Sequence, residues 1–332
     1  MTVRQAAVLV TAAVVLVAAA FGSVLVNSAS LPVSAGDVLD ALPLIGHGND
    51  PALEQIVREI RIPRTVTAIV VGAALGMAGA LLQGALSNPL ASPDVIGVTA
   101  GSGFGALIIL LAWPDAIAWV PISALVFGLA ATALVFVVAW SGAGGGSIAR
   151  LILAGIAINA VFTALSTALM ASFPDEVSSA IFFIAGSLAD DGWRILQHVW
   201  PYMTVGMIAA LLLIRPLDRL ALGDDVAQSL GQRPRVVRLL AAGTAALLAA
   251  TSAALAGLLG FLGLVVPHAV RLAGGTASHR FVVPASALAG AALLLAADTI
   301  ARALAAPSTF PVGPIMVVLG VPLFLWLLRR AV

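Results

Sequence analysis

The chain has 332 residues, 61% of them hydrophobic and 9% charged, with a formal net charge of +1. Soluble domains carry about 25% charged residues, so the composition excludes an ordinary soluble globule. Its 16 basic side chains are all Arg; Lys and Cys are absent, which excludes a lysine-bearing phosphate loop, disulfides and thiolate chemistry.

The apolar runs predict an all-α polytopic membrane protein of ten helices, built as one transmembrane domain over 1–332. The predicted spans are 5–30, 65–87, 95–112, 116–140, 148–172, 192–214, 236–256, 258–271, 281–305 and 312–330. The first follows Arg4 and exceeds the length of a signal-peptide core, so it is read as an uncleaved spanning helix. A segment of about 31–64 then lies on the outer side. The second helix carries Gly72, Gly76, Ala80 and Gly84 at four-residue spacing, a stripe read as tight internal packing. The third and eighth helices are too short to cross alone at 1.5 Å per residue. They meet Pro89, Pro93 and Pro267. Broken backbone at membrane depth needs protein or water over it, so two such breaks hint at a duplicated architecture around a path. The run Ala100-Gly101-Ser102-Gly103-Phe104-Gly105 lacks the strand–turn–helix context of a nucleotide fingerprint and is discounted.

With the N-terminus inside, eleven of the sixteen Arg fall on the cytoplasmic side; Arg58, Arg61, Arg64, Arg194 and Arg302 fall outside. Most acids, from Asp37 and Asp40 to Asp190 and Asp191, go the other way. An even helix count then places both termini in the cytoplasm.

The polar interruption Leu222-Gly223-Asp224-Asp225-Val226-Ala227-Gln228-Ser229-Leu230-Gly231, within a cytoplasmic segment of about 215–235, is the most informative feature. Leu222, Val226 and Leu230 recur at i, i+4 and i+8, so a helix here has one apolar face. Asp224 and Asp225 suit its first turn, Gly231 closes it, and Pro234 cannot extend it. It is either a handle for a cytoplasmic partner or an interfacial helix resting on lipid. Arg61 and Arg64 before the second helix, and Arg302 near the outer end of the ninth, form either a cationic patch for an acidic partner or snorkelling side chains. Asp298 stands four residues before Arg302 in the favourable acid-first order. That partner argues against Asp298 as a proton relay in an ion-driven carrier. His268 reads as a capping or hydrogen-bonding residue. His47, His198 and His279 form no ligand spacing with it, so no metal site is expected. Catalytic motifs are missing, and no basic stripe outside the loops suggests nucleic acid.

In order and spacing, these residues resemble the permease subunits of ABC importers for iron–siderophores, haem and cobalamin, the FecCD type. The matching pieces begin with Arg61-Ile62-Pro63-Arg64, Gly84 through Asn88-Pro89-Leu90-Ala91-Ser92-Pro93 to Gly97-Val98, and Leu153-Ala154-Gly155. The segment 222–231 follows, then Gly260-Phe261-Leu262-Gly263-Leu264 with Pro267-His268 and Arg271. Asp298, Ala301-Arg302, Pro311-Val312-Gly313 and Leu319-Gly320-Val321-Pro322 complete it. The resemblance implies a type II ABC importer permease of ten transmembrane helices in the bacterial cytoplasmic membrane, paired with a second permease subunit. It implies two ATPase subunits, which hold the ATP and Mg, docked on residues 222–231. It implies a periplasmic or lipid-anchored binding protein whose acidic residues meet Arg61, Arg64 and Arg302. It also implies a cytoplasmic gate at Asn88, Leu90, Ser147 and Ile148. An iron–siderophore is the first expectation for the cargo, with haem or cobalamin as alternatives.

Overall fold

Each predicted apolar run contains a helix in the computed structural model, which describes residues 2–25, 51–141, 148–188, 193–305 and 310–331. Helix α1 spans Val3–Leu25; α2 runs from Pro51 through a π-helical turn at Val57–Arg61 to Ala85. A 3₁₀ turn at Pro93–Ile96 leads into α3, Val98–Leu107, which continues as a π turn at Ile108–Ala112. Next come α4 (Val120–Trp140), α5 (Ile148–Ser172), α6 (Val177–Ala185) and α7 (Trp193–Leu212). The short α8 (Ile214–Leu220) and α9 (Asp224–Ser229) precede α10 (Pro234–Ala256), α11 (Leu262–Gly274), α12 (His279–Ala305) and α13 (Val312–Ala331). Among the described residues, seven helical stretches are long and apolar enough to cross a membrane; Val98–Ala112, Leu262–Gly274 and Val312–Leu327 are shorter apolar helices.

Packing follows residue size. α2 makes its most extensive contact with α12 and also packs on α10 and α11. A Cβ at Gly72 would lie 2.4 Å from the Gly290 carbonyl oxygen, one at Gly76 2.2 Å from that of Ser286, and one at Gly84 2.1 Å from His279 Nε2. The predicted small-residue stripe is therefore the seam that lets these backbones approach, which lipid alone does not drive. The glycines of α3 act likewise: Gly101 and Gly105 face the Phe127 and Ser123 carbonyls of α4, leaving no role in nucleotide binding. α2, α10 and α12 form the interior, whereas α1 and α5 have little of their surface covered within the single chain.

Two helix starts and one additional helix differ from the sequence-based expectation. α2 begins at Pro51, inside the predicted outer segment, and passes through Pro63. Pro63 has no N–H to donate, and the π turn immediately before it absorbs the mismatch. α11 starts at Leu262 because Gly257 and Phe261 hold φ of +64° and +65°, outside helical geometry. α6 was not predicted; its nine residues lie between the fifth and sixth predicted spans.

α6 explains how the second break survives. The Leu258 N–H donates to the Phe183 carbonyl at the end of α6, and the Gly313 N–H to the Gly186 carbonyl, each at 3.0 Å. The break is thus covered by protein, as irregular backbone at this depth requires. The first break is covered by α5: Asn159 Nδ2 donates to the Asp94 carbonyl at 2.7 Å. A Cβ at Gly155 would come 1.8 Å from the Val95 carbonyl oxygen.

Candidate functional site

The interruption at 222–231 folds as expected. α9 starts after Gly223, whose φ of +100° needs a glycine, and ends in a Schellman motif at Gly231, φ +78°. There the Gly231 N–H donates to the Gln228 carbonyl and the Gln232 N–H to that of Ala227, both at 2.9 Å. Pro234 opens α10 in its first turn. The predicted apolar face is present and uncovered: Leu222, Val226 and Leu230 are 60%, 44% and 53% exposed, while Ala227 is fully buried on the opposite side. Asp225 is exposed. Asp224 is also exposed but turns toward α10, with both carboxylate oxygens accepting from the Arg238 guanidinium at 2.8 Å. That contact holds the Asp224 carboxyl below its ordinary range. The pair is therefore intact at neutral pH and is lost only as pH falls through the lowered value.

Sequence reasoning missed Arg238, Asp218 and His279 as parts of this region. Arg238 Nε also donates to the Ala85 carbonyl at 3.1 Å. Asp218 of α8 accepts from the His279 backbone N–H at 2.6 Å and contacts its Nδ1 at 3.0 Å. The signal in the sequence was an acid and a basic residue flanking the interruption, Asp218 just past the end of one predicted span and Arg238 just inside the start of the next.

Of the expected gate residues, Asn88 and Leu90 lie in the turn after α2. Asn88 Oδ1 accepts the Leu90 N–H at 2.9 Å, closing an Asx turn that leaves the Leu90 side chain 49% exposed. Ser147 lies outside the described residues; Ile148 begins α5, and its side chain lies outside the described set. Gln83, one turn before Asn88, was also missed. Its Nε2 donates to the Leu264 carbonyl at 3.0 Å, and its Oε1 accepts from Arg271 Nη1, so α2 and α11 are tied beside the second break. A Gln in the apolar run Leu81-Leu82-Gln83-Gly84 was the signal.

The outer arginines come together, but not as an open patch. Arg61, Arg64 and Arg302 are 3%, 8% and 4% exposed, around a fully buried Asp298. Arg64 Nη2 and Nε donate to Asp298 Oδ1 at 2.9 and 3.1 Å, and Arg302 Nε donates to Oδ2 at 3.0 Å. Arg302 also reaches the Ser23 carbonyl and hydroxyl of α1, and Arg61 reaches the Val24 carbonyl at 2.7 Å. An outward-facing cationic patch was one expectation and snorkelling the other; within this chain the three guanidiniums are buried instead. The correction has a physical cause: a buried carboxylate and the C-terminal carbonyls of α1 draw the guanidiniums inward. Both oxygens of Asp298 are committed to N–H donors, which leaves no free carboxylate for a proton relay. His268 Nε2 is buried without a hydrogen-bond partner. No group of three His, Asp or Glu capable of holding a metal occurs among the described residues.

Comparison with known proteins gives a consistent result. The sequence is 39% identical over 285 residues to the Fe(3+)-citrate import system permease protein YfmE of Bacillus subtilis, covering 85% of this chain and 84% of that one. It is 37% identical to the cobalamin import system permease protein BtuC of Halobacterium salinarum, covering 92% and 81%. An inward-facing structure described as a metal-chelate type ABC transporter superposes with a TM-score of 0.83 at 28% identity, over 98% of this chain and 99% of that one. The profile of the FecCD transport family matches residues 10–330, so this multi-pass membrane chain belongs to the FecCD transport family.

Proposed function

We propose that this chain is the membrane-spanning permease subunit of an ATP-driven importer that carries an iron(III)–siderophore complex inward across the bacterial cytoplasmic membrane. The observation that carries this reading is α9. Val226 of this helix and Leu222 and Leu230 at its two ends are exposed beside the Arg-rich ends of the neighbouring helices, where a soluble partner rather than lipid can cover them. The chain contains no Lys for a nucleotide phosphate loop, so two partner ATPase subunits supply ATP and Mg chemistry. A second permease subunit covers the exposed flanks of α5 and α13, and the cargo passes between the two. Both termini face the cytoplasm, in line with the Arg distribution. All ten apolar helices form the transmembrane bundle, α3 and α11 by packing beside the two breaks.

Haem or cobalamin import is the second reading, favoured by similarity to the cobalamin permease. The test is uptake of ferric citrate, a ferric hydroxamate, haemin and cobalamin by cells with and without the chain. ATP-dependent uptake of an iron(III) chelate that disappears with the chain supports the first reading; uptake of cobalamin or haemin alone replaces it. Uptake driven by an ion gradient without any ATPase overturns both.

Coupling through α9 has its own test. Leu230→Asp with Val226→Asp places two charges on the apolar face without touching the interior, and is expected to release the ATPase from the purified complex while leaving the chain's melting temperature unchanged. An ATPase still bound at wild-type stoichiometry contradicts docking on this face. On the outer side, a binding protein is proposed to reach Arg61, Arg64 and Arg302 once the segments covering them part. Arg61→Gln keeps a donor for the Val24 carbonyl and is expected to weaken binding-protein capture by about thirtyfold, the low end of the loss when one partner of a desolvated charge pair is removed. Unchanged capture removes Arg61 from the interface.

A further inference from the structure

The carbonyl of Ala85, at the end of α2, has an unusual need. In a continuing helix it would accept from the N–H four residues on, but that residue is Pro89, which has none. The group is left among the orphans of the helix end. Arg238 meets the need: its Nε donates to the Ala85 oxygen at 3.1 Å while its two terminal nitrogens hold Asp224 at 2.8 Å each. One planar guanidinium thus joins three elements: its own α10, the first turn of α9, and the last turn of α2 from which the Asn88–Leu90 turn departs. Only Arg offers three donors in such a fixed fork.

A second strap runs parallel. Asp218, in α8 just before α9, holds the first residue of α12, His279. The imidazole of His279 rests on Gly84, where a Cβ would come 2.1 Å from Nε2. Both arms leading into and out of α9 therefore end on the last turn of α2.

We propose that Arg238 is the positioning residue that transmits displacement of α9 to the end of α2, and through it to the turn bearing Asn88 and Leu90. The proposal rests on the reading of α9 as the ATPase contact. Asp224 accordingly serves as the grip of α9 on Arg238, and leaves Asp225 and the apolar face to the partner. Breaking the link separates two events that are otherwise joined: nucleotide-driven movement of α9, and rearrangement after Ala85.

Backbone hydrogen–deuterium exchange on the purified permease–ATPase complex, with and without ATP, tests this. In the wild type, nucleotide changes exchange both at 224–231 and at 86–91. In Arg238→Met the change at 224–231 persists while that at 86–91 falls to less than about a fifth, the scale of a lost coupling free energy. A merely structural role would raise exchange at 86–91 in both states and keep the nucleotide-dependent difference. A wild-type difference at 86–91 in Arg238→Met overturns the proposal. Should that variant fail to accumulate, Asp224→Asn leaves Arg238 on Ala85 and loosens only α9; a wild-type difference there overturns it equally. If the wild-type chain binds no ATPase, the reading of α9 itself fails, an outcome visible before any exchange is measured.

Discussion

Asp298→Ala is expected to cut the yield of folded chain and to lower its melting temperature sharply, as read by size-exclusion of detergent extracts and by thermal unfolding. The Asp298 side chain is fully buried and lies 2.9 Å from Arg64 and 3.0 Å from Arg302. Removing one partner of a buried ion pair leaves charge without compensation, at a cost of about 3–5 kcal/mol. Here one carboxylate serves two guanidiniums that join α1, α2 and α12, so the loss falls on three helices at once. Set against a native stability of about 5–15 kcal/mol, that is a large fraction. Asp298→Asn keeps an acceptor and most of the shape, so its melting temperature should fall between wild type and Asp298→Ala. The pair of variants also separates a structural latch from an ion-coupled carrier. In a carrier, Asp298→Asn would fold normally and lose transport. In a latch, transport per folded molecule survives in Asp298→Asn, and that is the expected result. A wild-type melting temperature for Asp298→Ala would show that the outer cations do not depend on this carboxylate.

The arginine cluster also marks the limit of what was legible in the sequence. The i, i+4 spacing of Asp298 and Arg302 was readable because helical geometry alone makes those side chains neighbours. That Arg64, 234 residues away, takes the other oxygen was not. It depends on the α2–α12 seam, and the seam depends on glycines whose partners no local pattern names. The same division holds on the cytoplasmic side. Period, first-turn acids and a closing glycine exposed α9 with its ends nearly correct, because capping and amphipathicity are local. Arg238 and His279 escaped notice since their roles arise where three chain segments converge. Pro89 was read as part of the break before the third helix, but its second consequence appears only when the orphaned Ala85 carbonyl is found with a guanidinium beside it. Misplaced boundaries have one cause in common. The starts of the second and eighth spans were drawn from apolar runs, whereas a π turn in one case and contacts with α6 in the other decided where helix begins.

Gly79→Ala should be among the most damaging single-methyl changes possible in this chain. Its Cβ would stand 1.8 Å from the Gly263 carbonyl oxygen, 2.6 Å from its carbon and 2.7 Å from its Cα. All three atoms are backbone, so no rotamer change relieves the clash, and α2 must move away from α11. Gln83 one turn later loses its reach to the Leu264 carbonyl in the same movement, and Gly263 shifts against Pro93 of the first break. Overpacking a tight interior costs about 1–3 kcal/mol and occasionally more; two breaks leaning on one seam place this site at the upper end. Gly243 in α10 supplies the internal contrast, since a Cβ there meets nothing within 4 Å. Gly243→Ala should be neutral or stabilising by up to about 1 kcal/mol, the ordinary gain of Ala over Gly within a helix. Melting temperatures of the two variants, measured in one detergent, are expected to move in opposite directions from wild type. Transport per folded molecule should fall only in Gly79→Ala, because that seam positions both breaks next to the proposed gate. Equal melting temperatures would mean that α2 and α11 do not approach closely enough for a methyl group to matter.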